Sequence, residues 1–248
     1  MKLTHAYLFS ALFLATAPAY GAPAPSAKQL LLQSDEARGT LKGGVSWHAK
    51  LLDTEDGETN ESQFLVQCAG DNAHVETMAP VRKKGEVMVF NNRTMWYFKS
   101  GLKKPVSLSA RQKLSGQAAN GDIANTNYAR DYNGRIVGTE KIGQEEAYKL
   151  ELKAVDKDTT YDRINYWISK DNKLGIKAEF LTLQGALMKT ATFDYENSIT
   201  VNGKSQKFIS KMFITDAKNK SSTSTLIYTS PQKQDINNAL FNINNLVR

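Results

Sequence analysis

From Gly44 onward, apolar side chains recur at every second position: Val45, Trp47, Ala49 and Leu51 alternate with Ser46, His48 and Lys50. Period two is the signature of a strand with one buried face, because successive side chains leave a strand on opposite sides. The pattern predicts further strands over 62–69, 74–79, 86–90, 94–99, 135–142 and 147–154. In the second half it predicts 161–169, 175–183, 186–199, 206–216 and 223–228. Asp56-Gly57, Asn133-Gly134, Gln184-Gly185 and Asn202-Gly203 read as tight turns between them, where Gly supplies the positive φ that a hairpin needs. Strands joined by such short links pair antiparallel, so a meandering antiparallel sheet is expected.

Three segments depart from the alternation. Residues 26–38 combine a Ser N-cap, good helix formers and a following Gly39, which predicts one early helix. Residues 111–132 are irregular for a long stretch, rich in Gly, Asn and Ala, and long inserts of this kind are commonly functional loops or lids. Within them Asp122 is expected to cap a short helix carrying Ile123 and Tyr128 on one side. Pro231 and Asp235 precede Ile236–Phe241, which reads as a last helical turn.

The first 21 residues carry Lys2, an apolar run over 6–17, Pro18 and the small-residue exit Ala19-Tyr20-Gly21. This layout predicts a cleaved secretory signal, the run being too short for a spanning helix. The remainder, 22–248, is expected to be one β domain exported to the periplasm. With no cysteine at the cleavage point to carry a lipid, it is expected to be soluble and not stably membrane-inserted. Cys68 is the single cysteine, so no internal disulfide can form and the core must hold the fold. The net charge of +7 is scattered among acidic residues, which together with the compartment argues against nucleic acid.

The common catalytic signatures are missing. His48 and His74 stand on separate strands, there is no phosphate loop or nucleophile elbow, and no metal or cofactor is expected. Asp122 and Asp131 are the one carboxylate pair worth weighing as acid and base, and ordinary capping and ion pairing account for both. An outer-membrane barrel is disfavoured because Lys149, Glu151 and Lys153 interrupt any lipid-facing band. What remains is a surplus of aromatic and apolar residues on alternating positions, including Trp47, Phe64, Val66, Trp96, Phe98 and Phe180. A sheet bearing such a face with few helices to cover it can curl on itself, around a packed core or an apolar cavity.

Several stretches then point to one family. Met95-Trp96-Tyr97-Phe98, Lys103-Lys104-Pro105-Val106, the run from Leu114 to Ala124, and Asn127-Tyr128-Ala129-Arg130-Asp131-Tyr132 resemble the outer membrane lipoprotein-sorting proteins, relatives of the periplasmic carrier LolA. Trp167-Ile168-Ser169-Lys170, Leu174–Glu179 and Gln184–Lys189 continue the likeness. The resemblance implies a mainly β fold, a curved antiparallel sheet forming a half-open barrel with a small helical lid. It implies a non-catalytic carrier whose partners are a lipoprotein acyl chain or another lipid. On this reading Trp47, Phe64, Val66, Trp96, Phe98 and Phe180 line the cavity, and Leu30, Leu31 and Ile123 belong to the lid. The alternative is a binding module that docks an inner-membrane transporter or envelope protein through Arg111, Asp122, Tyr128 and Asp131.

Overall fold

The computed structural model describes residues 24–41, 43–91, 94–124 and 127–247. The expected signal, 1–21, lies outside the described residues. Helix α1 spans Ala27–Glu36, and its start is a capping box: Ser26 Oγ accepts the Gln29 N–H while Gln29 Oε1 accepts the Ser26 N–H. A first meander follows, β1 (Gly44–Glu55), β2 (Glu58–Ala69), β3 (Asn72–Ala79), β4 (Val87–Asn91), β5 (Thr94–Phe98) and β6 (Val106–Leu108). The connecting segment holds a small hairpin, β7 (Lys113–Ser115) and β8 (Ala118–Ala119), then two single-turn helices, α2 (Asn120–Ile123) and α3 (Tyr128–Asp131). The second meander is β9 (Tyr132–Ile142), β10 (Glu145–Ala154), β11 (Arg163–Ser169), β12 (Gly175–Leu181) and β13 (Leu187–Asp194). The chain ends with a separate hairpin, β14 (Asn197–Val201) and β15 (Lys204–Phe208), and then β16 (Lys211–Asp216) and β17 (Thr223–Lys233).

Thirteen strands form one antiparallel sheet in the order β6-β5-β4-β3-β2-β1-β17-β16-β13-β12-β11-β10-β9. Its two edges, β6 and β9, do not pair with each other, so the curved sheet is a half-open barrel, as expected. The inner face collects Trp47, Leu51, Phe64, Val66, Val75, Leu150, Tyr166, Phe180, Met212 and Leu226 in a single buried cluster. Three pieces cover it: α1 with α3, the β7–β8 hairpin with α2, and the β14–β15 hairpin, whose Phe208 lies 5.6 Å from the Trp47 ring.

Two strand expectations are corrected here. The runs 186–199 and 206–216 each break in two, because the chain leaves the sheet after Asp194 to build β14–β15 and rejoins it at Lys211. The break is held by Asn197, whose Nδ2 donates to the carbonyls of Ile209 at 2.8 Å and Tyr228 at 2.7 Å. The third strand, 223–228, instead continues to Lys233.

Asn133-Gly134 is not a turn. It lies inside β9, with Gly134 paired to Leu152. A methyl group on Gly134 would sit 2.9 Å from Leu152 Cδ2 and 3.1 Å from Leu31 Cδ1, so glycine is used there for the close approach of α1 to the sheet. Gly134→Val is therefore expected to cost about 1–3 kcal/mol by overpacking. The check is a urea melt, and an unchanged midpoint would contradict this account of the α1 seat.

Candidate functional site

The concave face and what closes it form the candidate site. The β7–β8 hairpin lies across β1 and β17: Ser115 Oγ donates to Asp53 Oδ2 at 3.0 Å and the Gln117 N–H to Ser224 Oγ at 2.7 Å. Gly116 at the turn has φ +51°, and any side chain there would strike Asp53 and Ser224. Lys189 Nζ donates to the Gln117 carbonyl from the sheet side.

Asp122 fastens α2. Its Oδ2 accepts the Ala119 N–H at 2.8 Å and the Tyr161 hydroxyl at 2.6 Å, with Lys189 Nζ at 3.8 Å. Tyr161 in turn stacks on Phe180 at 4.0 Å. A buried carboxylate carrying two donors and a nearby cation is satisfied, so this cluster anchors the segment.

Helix α3 is tied down from α1. Asp35 Oδ2 accepts the Ala129 N–H at 2.7 Å, and Lys28 Nζ donates to the Ala129 carbonyl. Tyr128 wedges between Tyr132 and Tyr166, at 5.2 Å from each ring in edge-to-face geometry. The centre of this arrangement is Arg38, 4% exposed. Its guanidinium lies 4.4 Å from the Phe193 ring and 5.1 Å from that of Tyr128, with Nε and Nη1 buried and without a hydrogen-bond partner. Tyr195 and Tyr228 also face it. Burial keeps all four hydroxyls protonated. Burial also pushes Asp35 up to about 7, against the lowering effects of the Ala129 N–H, Arg38 and the Tyr128 N–H.

Between the inner face of β2–β6 and β7 an apolar space of about 160 Å³ remains, walled by Phe64, Met88, Tyr97, Leu108 and Leu114. Ser62, Glu86 and Asn120 bring polar groups to it. Tyr97 is held protonated, its pKa pushed up to about 12 by burial and then by Glu86.

The anticipated residues fall into four groups. Phe64 borders this cavity, whereas Trp47, Val66 and Phe180 are packed in the continuous core. Trp96 and Phe98 require correction: Phe90 pairs with Met95 and Met88 with Tyr97, so Met95 and Tyr97 point inward and Trp96 and Phe98 lie on the opposite, outer face. Leu30, Leu31 and Ile123 are buried together under the covering elements. Of the four loop residues expected as an interface, Asp122 and Tyr128 are buried anchors. Arg111 is half-buried on Asp162 at 2.6 Å, and Asp131 on Arg130 at 2.7 Å. Asp122 and Ile123 sit in α2 and Tyr128 begins α3, so the single capped helix expected there is two separate turns. Asp35 and Arg38 went unnoticed. The signal was present, since Leu31, Asp35 and Arg38 follow one helical stripe at i, i+4, i+7, which puts two charges on the buried face.

A family model described as "Uncharacterized protein" matches residues 69–248. No curated protein matches the chain. Among solved structures, a LolA superfamily protein from Nitrosomonas europaea superposes with a TM-score of 0.80 at 28% identity, over 90% of this chain and 100% of that one. An outer membrane lipoprotein-sorting protein domain from Vibrio parahaemolyticus gives 0.73 at 21%, over 88% and 97%. A DUF1329 family protein from Desulfovibrio piger gives 0.72 at 16%, over 88% and 97%. No helix among the described residues is long and apolar enough to cross a membrane.

Proposed function

Because the chain belongs to the uncharacterized-protein family matched over residues 69–248 and folds as the LolA superfamily does, we propose that it is a non-catalytic periplasmic carrier that holds a lipoprotein acyl chain or another lipid between the sheet and its lid. Residues 1–21 are then the signal removed on export, and 22–248 the working domain. The observation that supports this reading most is the cavity beside Phe64, Tyr97 and Leu114, bounded on one side by β7.

The energetics favour such a device. One acyl chain of about sixteen carbons costs on the order of 12 kcal/mol to expose to water, at roughly 0.8 kcal/mol per CH₂. The cavity, partly open to solvent, is of a size that takes one small ring, so seating a whole chain requires the β7–β8 hairpin and α2 to lift. Transfer to a membrane partner would then be the same motion in reverse.

Protein purified from the envelope and extracted with organic solvent is expected to yield bound lipid, and the stripped protein to take up a fluorescent fatty acid at micromolar concentration. Bound ligand should raise the melting temperature, as any ligand of the folded state does. Absence of both extracted lipid and probe uptake would remove the carrier reading.

A further inference from the structure

The β7–β8 hairpin is a wall with two sides. Leu114 and Ser115 face the apolar cavity, while Gly116, Gln117, Ala118 and Ala119 border a second concavity of about 440 Å³. This groove runs between the hairpin and the turn joining β12 to β13.

The groove combines two chemistries. Ala118, Leu187 and Met188 form an apolar side, and Leu187 and Met188 are large hydrophobic side chains left about two-fifths exposed, at 40% and 44%. Arg111, Lys113, Lys189 and Lys218 bring four cations to the lining, against one carboxylate, Asp216; Lys113 also pairs with Glu55 at 3.4 Å and Lys189 donates to the Gln117 carbonyl. Asp216 is already engaged, since its Oδ1 accepts the N–H groups of Lys218 at 2.7 Å and Asn219 at 2.8 Å. Lys189 is the deepest of the cations, with its side chain only 10% exposed. Its ammonium sits over the Tyr161 ring at 4.9 Å, and its ionic partner, Asp122, is shared with Tyr161 and the Ala119 N–H. Arg111 spends Nη1 on Asp162 while its buried Nε has no partner.

Neither a bare anion nor a neutral hydrocarbon matches this lining. A bare anion leaves Leu187 and Met188 in water; a neutral chain gains nothing from a buried ammonium. We propose that the groove is the seat of the anionic head, phosphate or carboxylate, of an amphiphile whose chain lies against Leu187 and Met188. This rests on the carrier reading and adds a preference to it: cargo bearing a negative head is selected over neutral cargo of the same chain length.

The test is calorimetric titration of the lipid-free full chain with 1-palmitoyl lysophosphatidate, with 1-monopalmitin as the neutral counterpart, and with inorganic phosphate. Lysophosphatidate is expected to bind at least about tenfold tighter than monopalmitin, the value of one charge-assisted hydrogen bond, and inorganic phosphate is expected not to saturate. Lys113→Gln/Lys218→Gln changes two exposed side chains, so the protein stays folded, which a thermal melt confirms. It is expected to bring lysophosphatidate down towards the monopalmitin affinity. Equal binding of both lipids, unaffected by the double substitution, overturns the headgroup site and leaves the carrier intact. Phosphate binding as tightly as lysophosphatidate also overturns it, making the groove a plain anion site. If no amphiphile binds, the carrier reading itself fails.

Discussion

Arg38→Met is expected to lower the unfolding free energy at pH 8 by about 2–4 kcal/mol, at roughly 1–2 kcal/mol for each of two desolvated cation–π contacts. Methionine keeps most of the apolar stem and fills much of the volume, so the loss reports on charge rather than on a cavity. Two ring faces, Tyr128 and Phe193, lose their cation. Asp35, buried in α1, loses the nearby charge that lowers its pKa, so at pH 8 it either stays ionised without that charge or takes up a proton at a cost. At pH 5 Asp35 protonates instead, so the loss there should be clearly smaller. Asp35→Asn/Arg38→Met should recover part of the deficit at pH 8. Urea titrations at the two pH values measure this; a variant as stable as the parent at pH 8 would show that the guanidinium is not the buried counter-charge.

Asp35→Asn is expected to make stability less sensitive to pH between about 4 and 7. The Asp35 pKa rises from 3.8 to about 7 on folding, mainly because burial disfavours the carboxylate. Over that interval the folded protein keeps a proton that the unfolded chain has lost, so its contribution is complete below pH 4 and disappears as pH rises through 7. At about 1.4 kcal/mol per pKa unit the full swing is on the order of 4 kcal/mol. Arg38, Asp131 and the Tyr128 and Ala129 N–H groups surround the carboxyl, and Lys28 donates to the neighbouring carbonyl. His74 titrates the other way, since burial lowers its pKa, but it is common to both proteins and cancels in their difference. The stability of Asp35→Asn relative to the parent should therefore grow from pH 4 to about pH 7 and level off above it. A flat difference would mean that the carboxyl is not protonated in the folded protein at neutral pH.

The strand order of a meander is legible in sequence because alternation and short turns are local. Val45, Trp47, Ala49 and Leu51 announce which face of β1 is buried. β5 cannot be read this way: Met95-Trp96-Tyr97-Phe98 is apolar at every position, and both faces look equally buried. The turn at Asn238–Phe241 packs on β3 and β4, with Asn91 Nδ2 donating to the Phe241 carbonyl at 3.3 Å. Val89, which pairs with Trp96, is buried on that outer side. Nothing near residue 96 encodes where residue 241 will lie. Asn133-Gly134 fails for a similar reason, since the same dipeptide serves a tight turn or a close helix approach, and the choice depends on Leu31. Of the site, Phe64, Leu30, Leu31 and Ile123 could be picked out as apolar positions. The groove at Lys189 could not, since its lining comes from the β7–β8 hairpin and the β12–β13 turn, more than sixty residues apart.

The sheet also has a seam. β1 is bordered on one side by its immediate successor β2 and on the other by β17, so Val45 faces Lys233. The meander β1–β6 and the meander that starts at β9 share no other strand pairing. Each meander is built from local turns and can form by itself, yet the two halves stay unjoined until β17 reaches β1. The concave space, bounded by strands of both halves, consequently comes into being in one late step that closes a loop of almost the whole domain. Until that step the inner face of each half is open to the surroundings, so the seam between β1 and β17 sets when the interior is enclosed.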